Sequence, residues 1–277
     1  MADEYLKKDD YEEPRCLLDM GQTPCDPIPV GRVIGKLDEY LSRNDYAAAE
    51  RHLHYWLEEA QTGNDMKGRL SVLNELIGLY RKLDRREDGL RTIKDALKVL
   101  SALGLRSAVS GGTTLINAAT AYKAFGDPEE ALPLYEEARA VYETELSQGD
   151  GRLGGLYNNM ALALTDLRRY AEAEDLYNRA LSVMERQEYG EAERAITYLN
   201  MADLIADRDG MEEGEALISN CLQQAETLLD TESLPRNGYY AFVCEKCAPV
   251  FGYYGWFLTE QTLKERAEAI YAKNRNE

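Results

Sequence analysis

Cys244 and Cys247, in the stretch CEKC, are spaced for metal or redox chemistry. A C-x-x-C pair offers two thiolates that can share a zinc ion or exchange a disulfide. A structural zinc needs four ligands, however, and no second pair with suitable spacing exists, because the two histidines, His52 and His54, lie far away in sequence. On a helix, residues i and i+3 point the same way, so the pair reads equally as two small core residues. Five cysteines, at 16, 25, 221, 244 and 247, make no disulfide framework in a chain of 277 residues, and an odd count points to reduced thiols. His52 and His54, in RHLHYW, have no nearby serine or cysteine nucleophile to serve as general base, which favours a surface or packing role. SGGTT at 110–114 lacks the lysine of a phosphate-binding loop, and neither G-x-S-x-G nor H-E-x-x-H occurs. The many carboxylates fall at helical i, i+3 and i+4 spacings, as on solvated faces. The expectation is a protein that is not an enzyme, with no catalytic residue, no metal and no cofactor.

The elements around these residues explain the pattern better than chemistry does. Residues 114–143, TLINAATAYKAFGDPEEALPLYEEARAVYE, align with residues 156–185, LYNNMALALTDLRRYAEAEDLYNRALSVME. Each reads as an apolar helix carrying asparagine, a polar turn, and a second helix with A-x-x-x-Y-x-x-A: Ala131, Tyr135 and Ala138 in one, Ala173, Tyr177 and Ala180 in the other. The frame recurs as Ala49, Leu53, Trp56; as Gly89, Ile93, Ala96; and as Gly214, Ile218, Cys221. The first members, at 49, 89, 131, 173 and 214, are 40, 42, 42 and 41 residues apart. Small residues let the two helices of a pair approach, and the following large residue fills the gap between pairs.

On these residues the chain, over about 30–232, resembles the tetratricopeptide repeat superfamily, and its long period is similar to the repeats of kinesin light chains. The tryptophan and glycine usual in the first helix are replaced by Leu115 and Ala119, or by Tyr157 and Ala161. The resemblance implies an all-α fold, a right-handed α-solenoid of about five antiparallel helix hairpins. Residues 1–29, with eight acidic and three basic side chains and four prolines, read as an extended or partly disordered acidic leader. Residues 30–235 hold the five pairs, and 236–277 read as a divergent, aromatic-rich pair capping the stack. In that last pair Pro249 is expected to kink or break the first helix, and Tyr239, Tyr240, Tyr253, Tyr254 and Trp256 form a candidate anchor patch.

A helical wheel places Asn117, Asn159 and Asn200 at one repeated position of the first helix, with Asn74 one place out of register. Thr120, Asn158, Leu162, Asp166, Asp203 and Asp207 accompany them, while Arg81, Lys82 and Lys123 supply positive charge earlier in the chain. In a solenoid this side of every first helix lines the concave surface. An asparagine amide offers a donor and an acceptor together, so it can hold the backbone of an extended peptide without reading its side chains. The resemblance to kinesin light-chain repeats implies the same use. The same asparagines could instead bond the adjacent repeat. Charge suggests that a ligand sets acidic groups by the cations and basic groups by Asp166, Asp203 and Asp207.

A formal charge of −18 disfavours nucleic acid and anionic membranes as partners. No apolar run approaches the ~18 residues of a spanning helix, and MADEYLKKDDYEEPRC shows no signal-peptide core, so a cytoplasmic location is expected. The leading expectation is a scaffold that binds a protein or peptide as an extended segment. The alternatives are a homo-oligomeric self-association module and a peptide sensor of a bacterial signalling system.

Overall fold

The computed structural model describes residues 27–276, and these form twelve helices with no strand among them. Two units are defined by their internal packing, one ending at Phe125 and the other beginning at Gly126.

The first unit holds α1 (Val30–Ser42), α2 (Tyr46–Thr62), α3 (Met66–Lys82), α4 (Arg86–Ala102) and α5 (Val109–Ala124). Each helix packs on the next, and α1, α3 and α5 also touch in succession, so the first helix of each pair stacks on the first helix of the pair before. Aspartates set the starts of two helices: the Asp45 carboxylate accepts from Ala48 N at 3.0 Å and that of Asp65 from Gly68 N at 2.8 Å. Such caps satisfy amides that the helix leaves unpaired. The second oxygen of buried Asp65 also accepts from the backbone of Ile28 at 3.0 Å, fastening the entering chain to α3. Gly68 is required beside this contact, since a Cβ there would stand 2.1 Å from Asp65 Oδ2. The remainder of the expected acidic leader, residues 1–26, lies outside the described residues.

The second unit holds α6 (Pro128–Glu145), α7 (Gly151–Asp166), α8 (Tyr170–Met184), α9 (Glu191–Asp209), α10 (Glu215–Leu229), α11 (Gly238–Tyr253) and α12 (Phe257–Asn276). Here α7, α9 and α11 form the row of first helices, each in contact with the next. No helix among the described residues is long and apolar enough to cross a membrane.

The repeated small and large positions are core positions in both units. Ala49, Leu53, Ile93, Ala96, Ala131, Ala173, Tyr177 and Ala180 have no exposed surface. Gly89 stands where other repeats have alanine because a Cβ would meet the Phe125 ring at 2.5 Å. The turn within each pair carries one left-handed residue at a matching place: Asn44, Asp84, Gly126, Arg168, Gly210 and Gly255. A sequence without glycine at some of these sites accepts a modest strain to close the same turn.

Pro249 does not break the helix, since α11 runs from Gly238 to Tyr253 through it. The proline ring lies on the exposed side, where it has room, while Cys247, Ala248 and Phe251 anchor the same turn in the core.

Candidate functional site

Burial supplies a register that sequence spacing alone leaves blurred. Ile77, Ala119, Ala161, Ala202 and Ala248 are each at most 1% exposed and mark one core position of α3, α5, α7, α9 and α11. Two residues before each lies the outward position: Glu75, Asn117, Asn159, Asn200 and Lys246. The asparagine equivalence therefore holds, and Asn74 is the neighbour of Glu75, as Asn158 is of Asn159. Glu75 and Lys246 hold the same place without being asparagine, so residue type gives no signal for them. Counting two back from the buried residue, Ile77 or Ala248, finds both.

These side chains connect adjacent helices by one repeated bond. In the first unit Asn117 Nδ2 donates to Asn74 Oδ1 at 3.1 Å, and in the second Asn200 Nδ2 donates to Asn158 Oδ1 at the same distance. Asn74 in turn donates to Leu70 O at 3.0 Å and Thr114 Oγ1 at 2.9 Å. Asn117 and Asn200 thus use their amino groups inside the protein, and their side-chain carbonyl oxygens accept no hydrogen bond among the described residues. Asn159 makes no side-chain hydrogen bond among the described residues, so both halves of its half-buried amide are available.

The same register assigns the rest of the face. On α7 it comprises Gly155, Asn159, Leu162 and Asp166; on α9, Ile196, Asn200, Asp203 and Asp207; on α11, Phe242, Lys246, Pro249 and Tyr253. In the first unit Lys82 and Thr120 occupy it, with Arg81 and Lys123 one place aside. Lys82 Nζ lies 5.2 Å from the centroid of the Tyr46 ring. Between α9 and α11 the face deepens into a groove of about 520 Å³ with Asp203, Asp207, Pro249 and Tyr253 on its walls. Tyr254 donates to Asp203 Oδ1 and Tyr170 to Asp207 Oδ2, both at 2.8 Å. Desolvation raises the Asp203 carboxyl above its ordinary range, and the Tyr254 phenol acts in the opposite direction. Glu75 is raised by burial and then by the charge of Asp38.

The expected aromatic patch divides. Tyr239 and Tyr253 are exposed, Tyr240 is buried, and Tyr254 and Trp256 are half-buried, the last against Phe251. Phe242, absent from that expectation, is exposed and stacks on Tyr239.

The residues first singled out for chemistry sit elsewhere. Cys244 and Cys247 are core residues of α11 at the positions that Tyr157 and Met160 hold in α7. Burial raises both thiols, Cys247 to about 12, which keeps them protonated and poorly nucleophilic. His52 Nε2 lies 3.0 Å from Val33 O and His54 Nε2 2.9 Å from the Tyr80 hydroxyl, so each makes a packing contact between helices. Among the described residues no group of three or more histidines, cysteines and acids could hold a metal ion.

Residues 68–144 and residues 154–186 match two family descriptions, both tetratricopeptide repeat. Among solved structures, a Podosopora anserina protein described as a kinesin light chain with nearly identical TPR-like repeats is 17% identical. It superposes with a TM-score of 0.52 over 76% of this chain and 98% of its own. A single-substitution variant of that protein gives 0.53 at 17% identity, over 76% of this chain and 97% of its own. BtubC (BKLC) from P. vanneervenii is 18% identical over 91% of this chain and 94% of its own, with a TM-score of 0.48. No curated protein matches the sequence.

Proposed function

We propose that this chain, a tetratricopeptide-repeat protein, is a non-enzymatic module that holds an extended segment of a partner protein along the outward face of its first helices. The observation that carries this reading is the state of the asparagine amides. Asn117 and Asn200 each keep an unbonded side-chain carbonyl, and Asn159 offers both a donor and an acceptor. Backbone N–H and C=O groups of an extended peptide are the complementary partners, and in the second unit Asn159 and Asn200 offer such amides on neighbouring helices of one row. The neighbours Leu162, Asp166, Asp203 and Asp207 then set which side chains the segment carries. Buried, protonated thiols at Cys221, Cys244 and Cys247 suit work in a reducing compartment such as the cytoplasm.

A capture experiment tests it. Intact protein and a variant with Asn117, Asn159 and Asn200 changed to alanine, both shown to be folded by circular dichroism, are used to retrieve proteins from extract. A partner lost with the variant supports the reading. The same partners on both overturn it.

A second reading rests on Phe257 and Leu258, which are 68% and 83% exposed at the start of α12. Apolar residues this open suit contact with a second copy of the chain. Sedimentation equilibrium decides: a single-chain mass of 31.3 kDa at working concentration removes it.

A further inference from the structure

The groove between α9 and α11 combines properties that select one kind of side chain. Asp203 and Asp207 stand one helical turn apart on α9, which aims both carboxylates at the same opening. Each has one oxygen held by a phenol, from Tyr254 or Tyr170, and the other oxygen without a hydrogen bond among the described residues. A phenol orients a carboxylate without neutralising it. The nearest candidate counter-ion on the same helix, Arg208, is already committed to Asp209 at 2.8 Å and Glu174 at 3.0 Å. Two negative charges therefore face a groove with no cation of the described residues paired to them. The walls beside them are Ala206, Pro249 and Val250, and Tyr253, 72% exposed, is propped edge-on by Tyr254 with ring centroids 5.0 Å apart.

Building on the face described above as a partner-binding surface, we infer that this groove is a subsite for a single basic side chain, arginine or lysine, of the bound segment. The cationic head reaches the free oxygens of Asp203 and Asp207, the aliphatic stem lies along Ala206, Pro249 and Val250, and the open face of Tyr253 stacks on the charge. Each part has its physical counterpart: charge-assisted hydrogen bonds at the head, burial of methylenes along the stem, and the ring quadrupole at the side. An apolar side chain in the same place would leave two carboxylates desolvated and unpaired, and an acidic one would be repelled. A metal ion is not the occupant, since the opening offers two carboxylates and no third acid, histidine or cysteine.

The test uses the full chain, isotopically labelled, and four small probes: the Nα-acetyl N-methylamides of arginine, lysine, citrulline and glutamate. Saturable amide shifts in residues 203–211 and 250–254 with arginine and lysine, absent with citrulline and glutamate, are the expected result. Affinity for the cationic probes should fall about tenfold for each carboxylate neutralised in Asp203→Asn and Asp207→Asn, the effect of losing one hydrogen bond to a charged group. Equal shifts with citrulline, or no saturable shift with arginine, would overturn the assignment. The capture experiment separates this inference from the reading it builds on. If the double Asn variant keeps a partner that the triple Ala variant loses, the subsite fails while the face stands. If a species of twice the chain mass reverts to a single chain in the double Asn variant, the occupant is a second copy and the commitment to a separate partner fails.

Discussion

Replacing Asn159 by alanine and replacing Asn200 by alanine should have opposite effects on stability, although the two residues occupy one repeated position. Alanine is favoured over asparagine in a helix interior by about 0.6 kcal/mol. Asn159 makes no side-chain hydrogen bond among the described residues, so Asn159→Ala collects that gain and should stabilise by about 0.5 kcal/mol. Asn200 donates to Asn158 Oδ1 at 3.1 Å. Losing that bond costs about 1 kcal/mol, so Asn200→Ala should destabilise by about 0.5 kcal/mol after the propensity gain. The difference of ~1 kcal/mol is within reach of urea unfolding with unchanged m-value. A double-mutant cycle sharpens it: Asn158 and Asn200 should couple by about 1 kcal/mol, Asn159 and Asn200 by less than about 0.3 kcal/mol. If Asn159→Ala destabilised as much as Asn200→Ala, or the first coupling vanished, the division between a structural amide and an available one would be wrong. Capture of a partner by Asn159→Ala should nevertheless fall, and that loss could not be blamed on weakened folding.

Gly111→Ala should cost roughly 1–3 kcal/mol as a packing conflict, because its Cβ would lie 2.0 Å from Leu105 O, whereas Gly78→Ala, with nothing within 4 Å, should stabilise; paired urea unfolding compares them. Tyr240→Phe removes a hydroxyl that donates to Leu229 O at 3.0 Å and accepts from Arg266 at 3.0 Å. It should lower stability by about 1–2 kcal/mol, while Tyr253→Phe on the open face should leave the melting temperature unchanged. Burial raises Glu75 and Glu193 above the ordinary glutamate range, so the folded chain binds more protons than the unfolded chain at pH values between the two. Their contribution to stability is therefore best below the ordinary pKa and declines as pH rises through the raised one. Glu193→Gln keeps an acceptor for Tyr239 and should raise the melting temperature near neutral pH, with little change near pH 4; an equal change at both would refute the assignment.

The fold was legible because a repeat states its core several times. Ala131 and Ala173 could be read as small packing residues from their spacing, and both have no exposed surface. CEKC misleads in isolation for the same reason: its i, i+3 spacing is the spacing of Tyr157 and Met160, two core positions written with different residues. Pro249 does not end α11, because a local rule says nothing about which side of the helix is crowded. The face was half legible. Asn117, Asn159 and Asn200 stood out by residue type, but Glu75 and Lys246 do the positional equivalent with other chemistry, and only burial reveals the shared place. The amide bonds from Asn117 to Asn74 and from Asn200 to Asn158 depend on helix contact across more than forty residues, which no single-helix wheel contains.

Core and face obey different constraints along the second unit, and this is where specificity must arise. The position of Ala161 is alanine again at Ala202 and Ala248, and all three are at most 1% exposed, which suits close packing of neighbouring helices. Four residues per helix escape that constraint: Gly155, Asn159, Leu162 and Asp166 on α7, then Ile196, Asn200, Asp203 and Asp207 on α9, then Phe242, Lys246, Pro249 and Tyr253 on α11. One carboxylate on α7 becomes two on α9 and gives way to two aromatic rings and a lysine on α11. On the proposed reading, an extended segment laid across α7, α9 and α11 would meet the Asn159 amide first, the two carboxylates of α9 next, and the rings and Lys246 of α11 last. Exchanging Asp203 and Asp207 for lysine reverses the middle step alone. It should invert the preference for a basic over an acidic side chain in the segment while leaving helix content unchanged, as circular dichroism and the acetylated amino-acid probes can show together.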